Sequence, residues 1–207
     1  MTSSTEQRKQ GRNASLTVIG TGPGAEDLIT PRARQAIAQA QAVVGYKTYL
    51  DLIRHCISPE QEVLSSAMMQ EIDRCRRALE LADSGKAVAL ICGGDPGIYA
   101  MAGLVYELVR DTGSSSRIEI IPGIAALNAC AALLGAPLMH DFAAISLSDL
   151  MTPWELIEKR LQAAAGADFV TVIYNPKSKK RTQQIVRARE IMLEQRAPQT
   201  PVGIVSG

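Results

Sequence analysis

Aromatic residues are scarce in this chain of 207 residues, which has one Trp, five Tyr and two Phe. Proteins that bind nucleic acids stack bases on aromatic side chains and present a basic surface. Here few aromatic residues are placed for stacking, and 22 Lys and Arg against 21 Asp and Glu leave a net charge of +1. We therefore expect no nucleic-acid partner, and any anionic ligand must be bound by a local group of cations.

Metal-binding and membrane-spanning patterns are lacking as well. The four Cys residues lie far apart without a Cys-x-x-Cys pair, and only two His residues accompany them, so the spacing predicts no metal site. No stretch approaches the roughly 20 uncharged apolar residues of a membrane span, and residues 1–14 have no apolar run typical of a signal peptide. We expect a disordered polar tail over 1–14 and a cytoplasmic protein with reduced thiols and no membrane partner.

Short β-branched runs alternate with longer segments of helical period, a pattern typical of α/β folds with largely parallel sheets. Helix starts are indicated at Thr30-Pro31 and Thr152-Pro153, where a hydroxyl residue precedes a proline. Another amphipathic helix is indicated between residues 68 and 84, with Gly85 as its stop. The predicted strands, most of them apolar on both faces, cover residues 16–21, 42–45, 87–92, 118–121, 142–147, 169–174 and 202–205.

A domain boundary is predicted near residue 122, where Pro122-Gly123 ends a strand and precedes an alanine-rich helical segment. The expected organisation is an N-terminal α/β domain over 15–122, after the polar tail, and a C-terminal α/β domain over 123–207. Because no helix or strand follows the last predicted strand, its edge is left unpaired. We therefore expect the C-terminal domain to be truncated.

The segment 20–24, Gly-Thr-Gly-Pro-Gly, directly follows the first predicted strand. Glycine lets the backbone approach a ligand and tolerates positive φ. With Ala25, the segment also matches a dinucleotide-binding fingerprint. However, the helix cap lies further on, at Thr30-Pro31, and the second strand ends at Tyr46-Lys47 instead of the carboxylate that binds ribose. Both failures count against a nicotinamide cofactor, and the missing carboxylate also counts against a Rossmann-type methyltransferase.

A second glycine-rich loop covers residues 92–99, after the apolar run 87–91 and before a helical segment. Open α/β proteins bind ligands at such strand ends, where backbone amides and carbonyls are free. A simple tight turn is the alternative, with Asp95 bonding its own backbone and Pro96 fixing φ. We expect the two glycine loops to lie on neighbouring strands, which favours a ligand site.

The order and separation of these loops resemble the tetrapyrrole methylase superfamily, which carries a Gly-x-Gly-Pro-Gly loop and a Gly-Asp-Pro loop followed by an aromatic residue. Within it, the chain most resembles the precorrin-3B C(17)-methyltransferases. The matching blocks are Val-Gly-Tyr-Lys-Thr-Tyr at 44–49, Ala-Gly-Leu-Val at 102–105, Gly-Ala-Pro-Leu at 135–138, His-Asp-Phe at 140–142, Ile-Ser-Leu-Ser-Asp-Leu at 145–150, Thr-Pro-Trp-Glu at 152–155 and Tyr-Asn-Pro at 174–176. The resemblance runs from about Leu16 to Gly207.

This resemblance implies two αβα domains with largely parallel sheets, a cofactor cleft between them, and a homodimer. It implies an S-adenosylmethionine-dependent C-methyltransferase of cobalamin biosynthesis, which methylates carbon 17 of precorrin-3B or its cobalt counterpart, contracts the ring and releases S-adenosylhomocysteine. Where this chain has Ala125, the family usually has a hydroxyl residue, so one polar contact to the cofactor is expected to be missing. The implied cofactor-binding residues are Pro23, Gly93, Asp95, Ile98, Ala125, Ala126, Tyr174 and Gly203.

Methyl transfer from a sulfonium depends on alignment and desolvation, because the leaving thioether is neutral. Ring contraction also needs proton movements, and His140 with Asp141 is the candidate catalytic pair, since an imidazole titrates near neutral pH. A structural histidine satisfied by neighbouring backbone is the alternative. The candidate contacts to the tetrapyrrole substrate are Lys47, Ser146, Ser148, Asn175 and Lys177.

Cations concentrate after the Tyr-Asn-Pro block and would form a rim that orients a substrate with many carboxylates. A solvated helix face is the alternative. Lys47, expected with Tyr46 beside the first glycine loop, is likewise either a partner for a carboxylate or a solvated lysine. The cationic residues of this concentration are Lys177, Lys179, Lys180, Arg181, Arg187 and Arg189.

Other functions stay open at this point. One is another tetrapyrrole methylase acting at a different ring carbon, or a relative acting on RNA or on a protein side chain. The others are an NAD-dependent oxidoreductase and a non-catalytic binding protein that holds cofactor without turnover. The neutral charge and few aromatic residues count against RNA, and the missing ribose carboxylate counts against the oxidoreductase.

Overall fold

The computed structural model describes residues 15–67 and 70–205, so the polar tail predicted over 1–14 lies outside the described residues. Two compact units make up the chain, the first ending at Ala126 and the second beginning at Leu127. The domain limits of 15–122 and 123–207 remain a prediction. Within the described ranges, no helix is both long and apolar enough to cross a bilayer.

The first unit is built on a five-stranded sheet in the order β3-β2-β4-β1-β5. All of its neighbouring strands are parallel, which confirms the predicted α/β class with parallel sheets. Its elements are, in chain order, β1 (Ser15–Gly20), α1 (Pro31–Gln39), β2 (Ala42–Tyr46), α2 (Lys47–Leu52), β3 (Glu62–Ser66), α3 (Glu71–Asp83), β4 (Ala87–Cys92), α4 (Ala102–Thr112) and β5 (Arg117–Ile121), with short 3-10 helices at Glu26–Leu28 and Arg54–Cys56.

Apolar side chains alternate across this sheet and bury both of its faces. Leu16 and Val18 of β1 pack on the side of α3 and α4, whereas Ile19 packs with Ile37 of α1 on the other side. All four side chains are fully buried, and burial of one such side chain contributes roughly 1.5–3 kcal/mol. The continuous apolar runs predicted as strands therefore become the central strands of a sheet covered on both faces.

Helix α1 begins where the sequence indicates it. The Thr30 hydroxyl accepts a hydrogen bond of 3.1 Å from the amide of Ala33, and Pro31 occupies the first helical position. The first helix after β1 is thus separated from the glycine segment by a 3-10 turn, unlike a dinucleotide-binding site. Helix α3 ends before Gly85, which has a φ of +98°.

The second unit contains a pair of parallel strands with helices packed on one face. Its elements are α5 (Ala126–Leu133, beginning at the junction), β6 (Phe142–Ser146), α6 (Trp154–Gly166), β7 (Val170–Tyr174) and α7 (Gln184–Leu193). Strand β6 pairs with β7 in parallel, with Ser146 opposite Tyr174. Leu147 after β6, Leu161 of α6 and Ile191 of α7 are fully buried in one cluster, so these two helices cover the same face of the pair.

Three local predictions are wrong. Strand β3 was not predicted because it is an edge strand with polar residues, and its Val63 is 45% exposed. The strand predicted over 202–205 is irregular in the structure and pairs with no described strand. Its Ile204 is 89% exposed, which shows that β-branched composition alone does not make a strand. Helix α6 begins at Trp154, so Pro153 lies in the cap position, and no side chain caps this helix.

Candidate functional site

Three neighbouring strands of the first unit, β4, β1 and β5, end at the same edge of the sheet in loops that contain glycine. Gly20 lies opposite Cys92 in the β1–β4 register, and Ile19 lies opposite Ile121 in the β1–β5 register. The prediction that the two glycine loops follow neighbouring strands is confirmed. A third loop, which contains Gly123, joins them.

Glycines of these loops pack against one another. A Cβ added to Gly123 would lie 2.2 Å from the carbonyl oxygen of Gly94, and one added to Gly20 would lie 2.6 Å from the same oxygen. Such distances are far below van der Waals contact, so Gly20 and Gly123 let the three backbones approach one another. Gly94 differs, because an added Cβ would meet no atom nearer than 3.7 Å. Its φ of +65° is what requires glycine there.

Backbone hydrogen bonds join the first loop to the second. The Gly94 amide donates to the Gly22 carbonyl at 2.7 Å, and the Gly22 amide donates to the Gly94 carbonyl at 3.2 Å. The amide and the hydroxyl of Thr21 both donate to the carbonyl of Cys92 at 3.0 Å. The Thr21 hydroxyl is therefore satisfied within the protein, and the paired loops form a fixed platform beyond the strand ends.

Asp95 ties the second loop to the third. Its Oδ1 accepts a hydrogen bond of 2.8 Å from the amide of Gly97, and its Oδ2 accepts one of 3.1 Å from the amide of Gly123. The first bond is the local turn considered from the sequence, and the second reaches a neighbouring strand end. Each carboxylate oxygen keeps one further lone pair for a ligand.

Tyr46 and Lys47 were expected beside the first glycine loop, and this expectation is wrong. Strand β4 lies between β1 and β2, so Tyr46 at the end of β2 and Lys47 directly after it lie on the side of the second loop. A Cβ on Gly93 would lie 2.7 Å from the ring of Tyr49, which itself packs edge-on to Tyr46 with 5.4 Å between ring centroids. Burial raises the pKa of the Tyr49 hydroxyl. Lys47 is exposed and pairs with Asp51 at 3.0 Å.

The side chain of Arg74 supports this part of the edge and was not singled out from the sequence. It is only 5% exposed, and it donates to the Ser66 hydroxyl at 2.6 Å and to the Ala67 carbonyl at 2.8 Å. Its guanidinium carbon lies 6.0 Å from the ring centroid of Tyr46. Because Arg74 belongs to a helix that carries several other charged residues, only the tertiary structure distinguishes it from a solvated one.

The other candidate cofactor contacts of the first unit differ in exposure. Pro23 and Ala126 are exposed, Ile98 is half-buried, and Ala125 is 3% exposed. Ala125 also lies near Gly94, with 3.9 Å between its Cα and a Cβ built on that glycine. These residues therefore lie in the three loops or directly after them.

The second unit brings four candidate residues together at the carboxyl end of β6 and β7. Asn175 donates from Nδ2 to the Ser146 hydroxyl at 2.9 Å, and the Ser148 amide donates to the same oxygen at 3.2 Å. The Tyr174 hydroxyl accepts a hydrogen bond of 3.0 Å from the amide of Leu127, in the first turn of α5. The strand ends thus carry a compact group of neutral polar side chains.

Four other candidates in the second unit lie apart from this group. His140 and Asp141 are exposed and precede β6, at the opposite end of that strand from Ser146. Lys177 is exposed in the loop after β7. A Cβ on Gly203 would lie 2.4 Å from the side chain of Leu134, so the irregular segment 202–205 lies against that residue. In the part of the chain that the structure describes, no three His, Cys, Asp or Glu residues are grouped for metal binding.

The family model described as tetrapyrrole (corrin/porphyrin) methylases matches residues 15–207 of this chain. The chain belongs to the tetrapyrrole methylase family. This tetrapyrrole methylase is 53% identical over 194 residues to the cobalt-factor III methyltransferase of Priestia megaterium, covering 92% of the chain but 36% of that relative. It is 50% identical over 190 residues to the probable cobalt-factor III C(17)-methyltransferase of Salmonella typhimurium, covering 92% of the chain and 78% of that relative.

Solved structures agree with these relatives. The crystal structure of the methyltransferase CobJ superposes with a TM-score of 0.84 at 42% identity, over 89% of this tetrapyrrole methylase and 77% of that chain. The shared fold therefore extends well beyond the glycine loops. The chain spans about a third of the length of the Priestia megaterium relative.

Proposed function

We propose that this tetrapyrrole methylase transfers the methyl group of S-adenosylmethionine to carbon 17 of precorrin-3B or its cobalt counterpart, with ring contraction, in cobalamin biosynthesis. The observation that carries the proposal is the interlocked edge of β4, β1 and β5, where three loops are fastened by Asp95 and by direct contact between glycines. Relatives at 50–53% identity are named cobalt-factor III methyltransferases, which supports both the reaction and the substrate class.

The first unit suits S-adenosylmethionine through its main chain and its small side chains. At Gly94 an added Cβ would make only ordinary van der Waals contact, with no atom nearer than 3.7 Å. Asp95 keeps lone pairs that can accept hydrogen bonds from an ammonium or a ribose hydroxyl, and Ala125 contributes no polar group. We retain as cofactor contacts Pro23, Gly93, Asp95, Ile98, Ala125 and Ala126 of the first unit, and Tyr174 and Gly203 of the second.

When bound, the cofactor supplies a methyl group on a sulfonium whose leaving thioether is neutral. The protein's task is then to hold the reacting atoms in line and to exclude water, because alignment lowers the barrier without acid or base help. Loops that are cross-linked by backbone hydrogen bonds provide a rigid support for that alignment.

The polar group at the ends of β6 and β7 is the proposed substrate region. Ser146, Ser148 and Asn175 offer neutral donors and acceptors, which suits the pyrrole nitrogens and side-chain carboxylates of a tetrapyrrole. Lys47 and Lys177 are exposed cations and would pair with peripheral carboxylates. His140 and Asp141 lie at the opposite end of β6 from this group, and their role in moving protons during ring contraction stays a prediction from the sequence. If it holds, a His140→Ala enzyme should methylate without contracting the ring.

A homodimer is a further part of the proposal, and it rests on the family resemblance. A cytoplasmic location is proposed with it. Light scattering coupled to size-exclusion chromatography measures the assembly directly. A mass of twice 22.2 kDa would support the dimer, and the mass of a single chain would contradict it.

The experiment that tests the cofactor is calorimetric titration with S-adenosylhomocysteine, with NADH titrated in parallel. We expect micromolar binding of the thioether and no heat from NADH. Methylation of precorrin-3B and of its cobalt counterpart, followed by mass spectrometry and by the site of the new methyl group in NMR, then identifies the substrate. Binding of NADH alone would overturn the proposal in favour of an oxidoreductase, and cofactor binding without turnover would favour a non-catalytic binding protein.

A further inference from the structure

The loop after β7 carries several cations, of which one turns inward. Lys177, Lys179 and Lys180 are exposed, whereas the side chain of Arg181 is only 11% exposed. Long cationic side chains are rarely this buried unless they are held by specific partners. Arg181 therefore differs from the lysines beside it, although the sequence shows all four as one run of cations.

The guanidinium of Arg181 connects the exit loops of β7 and β6. Its Nη2 donates a hydrogen bond of 2.9 Å to the carbonyl oxygen of Asn175. Its Nη1 lies 3.9 Å from Oδ1 of Asp149, and the Asp149 carboxylate is itself held by Nε2 of Gln184 at 2.9 Å. One planar group therefore contacts the first residue after β7 and the loop after β6 together.

A tight turn directs Arg181 to this position. The Ser178 amide donates to the Arg181 carbonyl at 2.9 Å, and the Arg181 amide donates to the Ser178 hydroxyl at 3.0 Å. The reciprocal pair closes the segment 178–181. The turn therefore fixes the backbone at Arg181, from which the side chain reaches the Asn175 carbonyl.

The residue that Arg181 holds has an uncommon backbone conformation. Asn175 has a φ of +50°, in the left-handed region that residues other than glycine visit at a cost. Its side chain is bonded to Ser146, and its carbonyl is bonded to Arg181. The two contacts together keep Asn175 turned toward Ser146 immediately after Tyr174.

The side chains around Arg181 form a polar group rather than an apolar cluster. Among the described residues, Nε of Arg181 and Oε1 of Gln184 are buried without a protein partner. The hydrogen bonds of this group fix the geometry of the two exit loops, at Asn175 and at Asp149.

We propose that Arg181 is a positioning residue, which fixes the left-handed turn at Asn175 and thereby aims Asn175 and Ser146 at the tetrapyrrole. This inference rests on the proposed function, in which these two side chains contact the substrate. Arg181 then acts by fixing the position of the Asn175 carbonyl. It does not act as one of several cations that attract the carboxylates of the substrate.

The test compares Arg181→Ala and Arg181→Lys with Arg160→Ala, a matched control that removes an exposed arginine of α6 from the same unit. For Arg181→Ala, we expect the KM for the tetrapyrrole to rise at least tenfold and the dissociation constant of S-adenosylhomocysteine to change less than threefold. Amide hydrogen exchange across 175–183 should accelerate at least tenfold. Arg181→Lys should not restore the KM, because an ammonium lacks the planar fork that meets both loops, and Arg160→Ala should match wild type.

Three results would overturn the inference. They are an unchanged KM in Arg181→Ala, full rescue by lysine, and an equal loss in Arg160→Ala, the last two pointing to charge alone. If Arg181→Ala does not fold, Asp149→Asn is the second variant to measure. We expect the same rise in its KM for the tetrapyrrole, and an unchanged KM would count against the positioning role of Arg181. Failure of wild type to bind S-adenosylhomocysteine or to methylate would instead refute the proposed function, and the inference with it.

Discussion

The carboxylate of Asp95 lies 3.1 Å from the amide nitrogen of Gly123 and joins the loop after β4 to the loop after β5. Its other oxygen accepts from Gly97 at 2.8 Å. We expect Asp95→Asn to break one of these bonds, because an amide side chain has a single acceptor oxygen. Hydrogen bonds to charged groups contribute about 1.5–3 kcal/mol.

The Asp95→Asn variant should therefore bind S-adenosylhomocysteine at least tenfold more weakly by calorimetry and should unfold at lower urea concentration. Asp27→Asn provides the control, since Asp27 is an exposed residue of a 3-10 turn. Wild-type affinity in the Asp95 variant would show that the loops need no carboxylate.

Gly123→Ala should disrupt the packing of the three loops. The new methyl group would lie 2.2 Å from the Gly94 carbonyl oxygen, so a backbone must shift, which typically costs about 1–3 kcal/mol or more. Gly103→Ala is the control, because it lies in α4 and no atom outside its own stretch of helix is within 4 Å of the added Cβ. It should stabilise the protein by about 0.5–1 kcal/mol. Urea denaturation measures both, and equal stabilities would contradict the packing described for Gly123.

Tyr174→Phe should leave the Leu127 amide without its acceptor at the start of α5, since the two atoms are 3.0 Å apart. A lost neutral hydrogen bond of this kind costs about 0.5–1.5 kcal/mol. Tyr106→Phe removes a hydroxyl from an exposed position on α4 and should change neither stability nor cofactor affinity. Thermal unfolding and calorimetry report the two properties, and identical behaviour of both variants would argue that the Tyr174 hydroxyl is dispensable.

Two buried thiols should make stability fall in alkaline solution. Burial raises the pKa of Cys75 to about 12 and that of Cys92 to about 11, from an ordinary value of 9.0. Above pH 9 the unfolded chain releases these protons while the folded chain keeps them. The contribution of the two protonated thiols to the free energy of unfolding is therefore complete only below that pH. It is lost as pH rises toward the folded values, by about 1.4 kcal/mol per pH unit for each group.

Urea denaturation from pH 8 to 10 measures this slope. Cys75→Ala removes one of the two titrating groups and should reduce the slope above pH 9, whatever its effect on stability at neutral pH. An unchanged slope would mean that the buried thiols do not govern the alkaline loss. In the folded protein, both thiols should also react slowly with iodoacetamide because the thiolate is the reactive form.

The sequence predicts the central strands well because burial on both faces leaves long apolar runs, as in 87–92. It also locates α1, since Thr30 and Pro31 perform their local functions without tertiary help. Edge strand β3 is different, because one exposed edge and a polar face remove the apolar signal. Local composition likewise makes 202–205 look like a strand, although no described neighbour pairs with it.

Contacts between loops were beyond sequence reasoning for a related reason. The glycines at 20–24 and 93–97 predict a loop site, but the need for Gly123 depends on strand order, which brings β5 beside β1. The same order places Tyr46 beside the second loop rather than the first. The burial of the Arg181 side chain depends on the hydrogen bonds of Arg181 to Ser178 and Asn175. The sequence alone does not separate this arginine from the exposed lysines around it.

Strand order in the first unit also constrains how the chain is made. Ser15 of β1 pairs with Ala87 and with Arg117, so β1 must wait for two partner strands that are synthesised much later. At about 5–20 residues per second, its apolar side chains wait for several seconds, during which β2 and β3 can already pair. Non-local parallel pairing of this kind is slow. Completion of β4 at Cys92 is the event that joins β1 and β2 into one sheet.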